Sequence, residues 1–308
     1  MQKPMLKKRR ERPKEKYQNI AYVFLIPWII GFFVFQLYPF AASFFYSFTN
    51  YNVIGNLSFV GWKNFVEILT EDREWRKSLF VTFKYVVIAV PSKILFAFLV
   101  AMLMNMKLKA INFFRTVYYL PSILGGNVAV AILWRFIFNR DGVLNTLISC
   151  LGVAPIDWLG SPKYALGTLS VLVVWQFGSS MIIFLAGLKQ IPQELYEAAV
   201  MDGAGKIHSF FNITLPMISP MIFFNLIMQL VFAFQEFTGA FVITNGGPVK
   251  STYLYALMLY NNAFRDLKMG YASAQSWILF LIMMALAMLV FKSSDYWVFY
   301  SDGGKANG

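Results

Sequence analysis

Six stretches of this chain, near residues 20–48, 79–106, 113–138, 164–188, 217–243 and 272–298, stay apolar over the roughly 20 residues a helix needs to cross a bilayer. The sequence therefore reads as an all-α integral membrane protein with six transmembrane helices. Pro27, Pro39 and Lys292 fall inside the first and last stretches, so their membrane portions are shorter than the quoted ranges. The chain is 58% hydrophobic, 18% aromatic and 14% charged, against a charged fraction of about a quarter in soluble domains.

A net charge of +12 could suit nucleic acid, but its placement points elsewhere. Lys3, Lys7, Lys8, Arg9, Arg10, Arg12, Lys14 and Lys16 all precede the first apolar stretch, which holds the N-terminus in the cytoplasm. Six crossings return Lys305 to that side, with the basic link Lys107, Lys109 and Arg115. The link Glu71-Asp72-Arg73-Glu74-Trp75-Arg76 mixes both signs and lands outside. The first stretch is too long, and lacks the small-residue site, for a cleaved signal peptide. Cys150 is the one cysteine, so there is no disulfide, redox or zinc framework. The expected organisation is a basic tail over 1–18, a six-helix domain over 19–299 and a C-terminal tail over 300–308, with a polar loop over 190–216 inside the domain.

That loop carries the most specific pattern. Pro192 suits the start of a helix, Glu194 and Glu197 follow where the positive end of the dipole favours acids, and Gly203 can stop the helix at positive φ. Ala199 and Gly203, four apart, leave one face nearly bare for a foreign backbone to approach. Glu197-Ala198-Ala199, three more residues and Gly203, then nine residues and Ile213-Thr214-Leu215-Pro216 together resemble the EAA loop of the membrane subunits of binding-protein-dependent ABC importers. The likeness extends through Gly187-Leu188, Ile191-Pro192, Leu195-Tyr196, Asp202, Ala204, Tyr118-Leu120-Pro121, Asn245-Gly246-Gly247-Pro248 and Gly270-Tyr271-Ala272-Ser273-Ala274. It points to the carbohydrate branch, the maltose and glycerol-3-phosphate permease type.

The resemblance implies a bacterial cytoplasmic-membrane permease subunit with a cytoplasmic coupling helix between its fourth and fifth spans. It implies four kinds of contact: a second, homologous permease, two ATPase subunits that bind ATP and Mg, an external sugar-binding protein, and the sugar. Docking on the ATPase falls to Glu197, Ala198, Ala199, Asp202 and Gly203, with Phe210 and Phe211 divided between packing under the loop helix and facing the ATPase. Asp202-Gly203 taken alone is a simple helix stop. No cofactor belongs to this chain, since Gly203-Ala204-Gly205-Lys206-Ile207 lacks the spacing and the Ser or Thr of a phosphate-binding loop. His208 has no partner of metal-ligand spacing. Contacts with the binding protein are expected at Tyr51-Asn52 and Gly246-Gly247-Pro248.

For the solute, polar residues at mid-membrane depth are the candidates, because they are costly there and face a cavity or another helix. They are Trp175, Gln176, Ser179 and Ser180 on the fourth span and Asn225, Gln229, Gln235 and Glu236 on the fifth. Neutral donors and acceptors beside aromatic faces suit a sugar; phosphate or sulfate would call for Arg, which both spans lack. Lys93 either snorkels or pairs with an acid such as Glu236. An ion-coupled carrier or channel would rest on those two charges alone. A membrane-embedded enzyme would need paired acids, a metal cluster or an activated nucleophile, and none is visible.

Overall fold

The computed structural model describes residues 16–55, 57–106 and 110–299. The basic tail through Lys14, Lys107, Lys109 and the C-terminal tail with Lys305 lie outside the described residues, as does the Lys16 side chain. The described residues contain no strand, only an isolated antiparallel bridge between Thr49 and Phe59.

Helix α1 (Lys16–Phe32) runs through a π-helical turn (Phe33–Leu37) into α2 (Tyr38–Ser47). Proline lacks an N–H and its ring crowds the carbonyl four residues back, and here the widened turn ends two residues before Pro39. After α3 (Lys63–Thr70), α4 (Arg73–Asn105) is the central post. Ser78, Thr82, Tyr85, Ala89, Lys93, Ala97, Ala101 and Met104 recur every three or four residues along its buried stripe, the repeat that puts side chains on one helical face. Asp72 caps this helix, its Oδ1 accepting from the Trp75 N–H at 2.8 Å while Oδ2 accepts from the Tyr271 hydroxyl at 2.8 Å.

The next two apolar stretches are broken. Helices α5 (Ile111–Leu124) and α6 (Val128–Ile137) meet at 104°, and after α7 (Val143–Cys150), α8 (Ala165–Trp175) and α9 (Gly178–Gln190) meet at 48°. The stretch near 113–138, expected as one helix, is two: Gly126 turns the chain at φ +75°, and Asn127 Oδ1 caps α6 by accepting from the Ala129 N–H at 2.9 Å. Short α10 (Gln193–Met201) and α11 (Lys206–Ser209) precede a second π-helical turn (Phe210–Thr214), again two residues ahead of a proline, Pro216, in α12 (Leu215–Phe234). Beyond it come a π-helical turn (Ala240–Thr244), α13 (Tyr255–Tyr260), another such turn (Asn261–Arg265) and α14 (Met269–Trp297). Among the described residues, four helices are long and apolar enough to span a membrane, and up to six spans result if each bent pair counts as one.

Two apolar cores stack along α4. Phe98, Met104, Phe184, Leu188 and Ile218 form the one nearer α10. Tyr85, Val90, Leu169, Phe234, Leu257 and Ile278 are among those forming the other. Between them lie the breaks in α5–α6 and α8–α9.

Candidate functional site

At the breaks, backbone groups lose their helical partners, and in an apolar surrounding each would cost several kcal/mol unless another group replaced them. Ser122 is the replacement. Its Oγ donates to the Gln176 carbonyl at 3.0 Å and accepts from the Ser179 N–H at 3.0 Å, stitching the α8–α9 break to α5. The fit depends on glycine: a Cβ at Gly178 would lie 2.6 Å from the Tyr118 carbonyl oxygen and 2.7 Å from the Tyr119 Cα, and one at Gly125 would lie 2.8 Å from Gln176 Oε1.

This junction opens into a cavity of about 450 Å³ lined by Tyr85, Lys93, Ser122, Gly125, Gly126, Gln176, Ser179, Gln229, Gln235, Glu236, Phe237 and Thr238, with four apolar neighbours. Five of the eight residues proposed to face the solute, Gln176, Ser179, Gln229, Gln235 and Glu236, therefore share one wall. The other three stand behind it. Ser180 is fully buried and accepts from Gln229 Nε2 at 3.2 Å. Asn225 is buried with its Nδ2 donating to the Met221 carbonyl at 2.9 Å. Trp175 packs on Trp134, with ring centroids 5.8 Å apart.

Lys93 is buried and reaches the cavity along with Glu236, but the two make no ion pair. Glu236 Oε1 instead accepts from the Gly239 N–H at 2.7 Å, capping the turn after α12. Tyr85 has its hydroxyl buried with no hydrogen-bond partner. Sequence reasoning did not find Tyr85, Ser122, Gly125, Gly126 or Thr238. The available signal was the glycine pair inside an apolar stretch, because interrupted spans are where membrane sites form.

The second site is the loop at Glu197. Gly203, at φ +77°, follows the Asp202 cap; its N–H donates to the Val200 carbonyl at 3.0 Å, and the Ala204 N–H donates to the Ala199 carbonyl at 2.8 Å. That pair of bonds is a Schellman closure, the usual end of a helix before glycine. A Cβ at Gly203 would meet nothing within 4 Å, and Ala199 is half-buried. Glu197, Ala198 and Asp202 are exposed. Phe210 packs near Phe98, with ring centroids 6.1 Å apart, while Phe211 is 58% exposed. Val200, Met201 and Ile207 are exposed too, so the loop presents an apolar surface that none of the described residues covers.

Long and broken apolar helices with a polar cavity at the breaks define a multi-pass membrane protein of the transport class. The chain belongs to the family of binding-protein-dependent transport system inner membrane components, which matches residues 68–299. It is 48% identical over 295 residues to the probable ABC transporter permease protein YesP of Bacillus subtilis, covering 95% of this chain and 96% of that protein. It is 33% identical to the multiple sugar-binding transport system permease protein MsmF of Streptococcus mutans, over 89% of this chain and 94% of that one. A solved chain of a bacterial ABC transporter that imports the acidic polysaccharide alginate shares the fold, with a TM-score of 0.78 at 20% identity, covering 91% of this chain and 96% of that one.

Proposed function

We propose that this chain is the permease subunit of an ATP-driven importer that moves a sugar, an oligosaccharide by preference, across the bacterial cytoplasmic membrane by alternating access. The observation that carries the reading is the cavity at the interlocked breaks, where Gln176, Ser179, Gln229 and Gln235 offer neutral donors and acceptors for hydroxyl groups. Sugar transport permeases among the relatives support the substrate class. Lys93 and Glu236, the only support for an ion-coupled carrier, make no ion pair, and membership of a binding-protein-dependent family argues against that alternative.

In this reading each bent pair is one span, giving six crossings with both termini in the cytoplasm, and α10 is the coupling helix. Glu197, Ala198, Ala199, Asp202 and Gly203 dock on a separate ATPase, and the exposed Phe211 adds apolar contact. Two such ATPases bind ATP and Mg, and this chain is itself non-catalytic. A second, different permease completes the pathway. The helix over Tyr22–Ser47 leaves Phe24, Trp28, Phe35 and Tyr38 among its most exposed side chains, which supports a partner or lipid on that face. An external binding protein meets the loops at Tyr51-Asn52 and Gly246-Gly247-Pro248.

Two experiments test it. Uptake of oligosaccharides from starch and alginate digests into vesicles carrying all subunits should require ATP and the binding protein; ATP-independent uptake driven by an ion gradient would overturn the reading. Cysteines placed singly in a Cys150→Ser chain test the sidedness. Glu71 and Lys163 are exposed and suit the outside positions. Asp72 caps α4, and Gly160 has no room for a side chain beside Asp157. Cysteines at 71 and 163 should react with an impermeant reagent outside intact cells and one at 206 should not; outside labelling at 206 removes the ATPase-facing role of the loop.

A further inference from the structure

Four aromatic rings run away from the cavity, at the end of α12 remote from the Glu197 loop, three of them in mutual contact and the fourth attached through Tyr260. Phe237, in the cavity wall, stacks on Phe241 with centroids 5.1 Å apart and planes 16° apart. Tyr260 lies 4.9 Å from Phe237 and 5.4 Å from Phe241, and Phe264 lies 5.2 Å from Tyr260. Phe241 is 39% exposed and Phe264 59%. Each strand of the line is one helical face, since 237 and 241, like 260 and 264, are four residues apart.

One residue on from Phe264, Arg265 lines a second cavity of about 400 Å³, whose wall includes Asn245, Asn261 and Asn262 with the ion pairs Lys250–Glu74 and Arg265–Asp266. Asn261 and Arg265 sit on the same turn as Phe264. Exposed aromatics on a membrane protein ordinarily meet lipid, but a lipid-facing strip would not be bounded by Gln235 and Thr238 at one end and by Asn261 and Arg265 at the other. A strip of aromatic faces joining two polar cavities instead matches what a sugar ring needs, with its C–H faces on the rings and its hydroxyls on amides and charged groups.

We propose that Phe237, Phe241, Tyr260 and Phe264 form a stacking ladder along which an oligosaccharide passes from the polar pit at Asn262 and Arg265 to the cavity at Gln229. The ladder rests on the sugar reading given above. It makes longer chains, which touch several rungs at once, more dependent on the ladder than short ones.

The test uses the complete importer in proteoliposomes. In a Cys150→Ser chain, Phe241→Cys and Phe264→Cys should react with a charged, impermeant thiol reagent; reaction with only a lipid-soluble maleimide would overturn the ladder by placing the rings in lipid. Uptake from starch and alginate digests, resolved by chain length, is the second arm. Tyr260→Leu and Phe264→Leu keep the apolar bulk but lose the flat face, and each should raise KM by about three- to tenfold for the longer chains. Phe264→Trp should restore uptake. If the wild-type importer carries none of these oligosaccharides, the sugar reading falls and takes the ladder with it. If it carries them and the leucine variants match it at every length, the ladder alone falls.

Discussion

The loop at Glu197 and the cavity at Gln229 are built in opposite ways. All the residues of the loop site lie within 197–211, and one Schellman closure at Gly203 sets their geometry. The cavity takes its wall from α4, the α5–α6 break, the α8–α9 break, the end of α12 and the turn beyond it. A contiguous site stands by itself on a folded chain. A distributed one exists only after two broken helices have locked together, so its glycines serve the fold and the cavity at once. Damage to the loop should therefore uncouple without unfolding, whereas damage at the breaks should threaten both.

Gly178→Leu should have the largest effect. Its Cβ would fall against backbone atoms of Tyr118 and Tyr119, which cannot move aside as a side-chain tip can. Overpacking of this kind costs about 1–3 kcal/mol and can exceed that. The variant should lose most of its monodisperse protein on detergent extraction, and a normal yield with normal uptake would break the claim that the interlocked breaks hold the cavity.

Gly203→Val and Glu197→Lys come next. Valine at φ +77° carries local strain of about 1–2 kcal/mol but meets no neighbour, so the subunit should still fold. Glu197 lies midway along α10, and the lysine reverses the charge of that exposed side chain. Both should abolish ATP-driven uptake while leaving extraction and thermal stability near wild type; unfolding of both would erase the contrast between the two sites.

Gln229→Leu should be graded. Losing a hydrogen bond in a desolvated site costs about 1–3 kcal/mol, roughly five- to a hundredfold in affinity. Substrate affinity should fall by that range with the ATPase still stimulated by the binding protein, and unchanged uptake kinetics would move the solute elsewhere.

The smallest effect separates two neighbouring rings. Phe210→Ala should lower stability by about 1–2 kcal/mol, because that ring packs into the core beside Phe98. Phe211→Ala should leave the melting temperature unchanged and reduce uptake, since its ring is exposed. Equal thermal shifts would show that the loop is not divided into a packed and a presented half.

The same contrast explains what could be read in advance. The loop pattern was legible because spacing along the chain is its geometry: positive φ at Gly203 and the division between Phe210 and Phe211 follow from neighbouring residues. Apolar length marked all the membrane stretches, but length cannot show a 104° turn, and only the Gly125-Gly126 pair hinted at it. Trp175, Ser180 and Asn225 satisfied the same rule as Gln176 and Gln229, that polar residues deep in a span have a purpose. Which of them reach the cavity depends on how α9 and α12 rotate against α4, and that is set by packing between helices. Lys93 was visible as a charge in a span; that it faces the cavity without pairing to Glu236 required the fold.

The most direct measurement compares ATP hydrolysis and uptake side by side in proteoliposomes holding the complete importer, for Gly203→Val and Gln229→Leu. The account predicts that the loop variant loses both binding-protein-stimulated hydrolysis and uptake, whereas the cavity variant keeps stimulated hydrolysis and takes up substrate with lowered affinity. Full uptake with Gly203→Val, or loss of stimulated hydrolysis with Gln229→Leu alone, would contradict it.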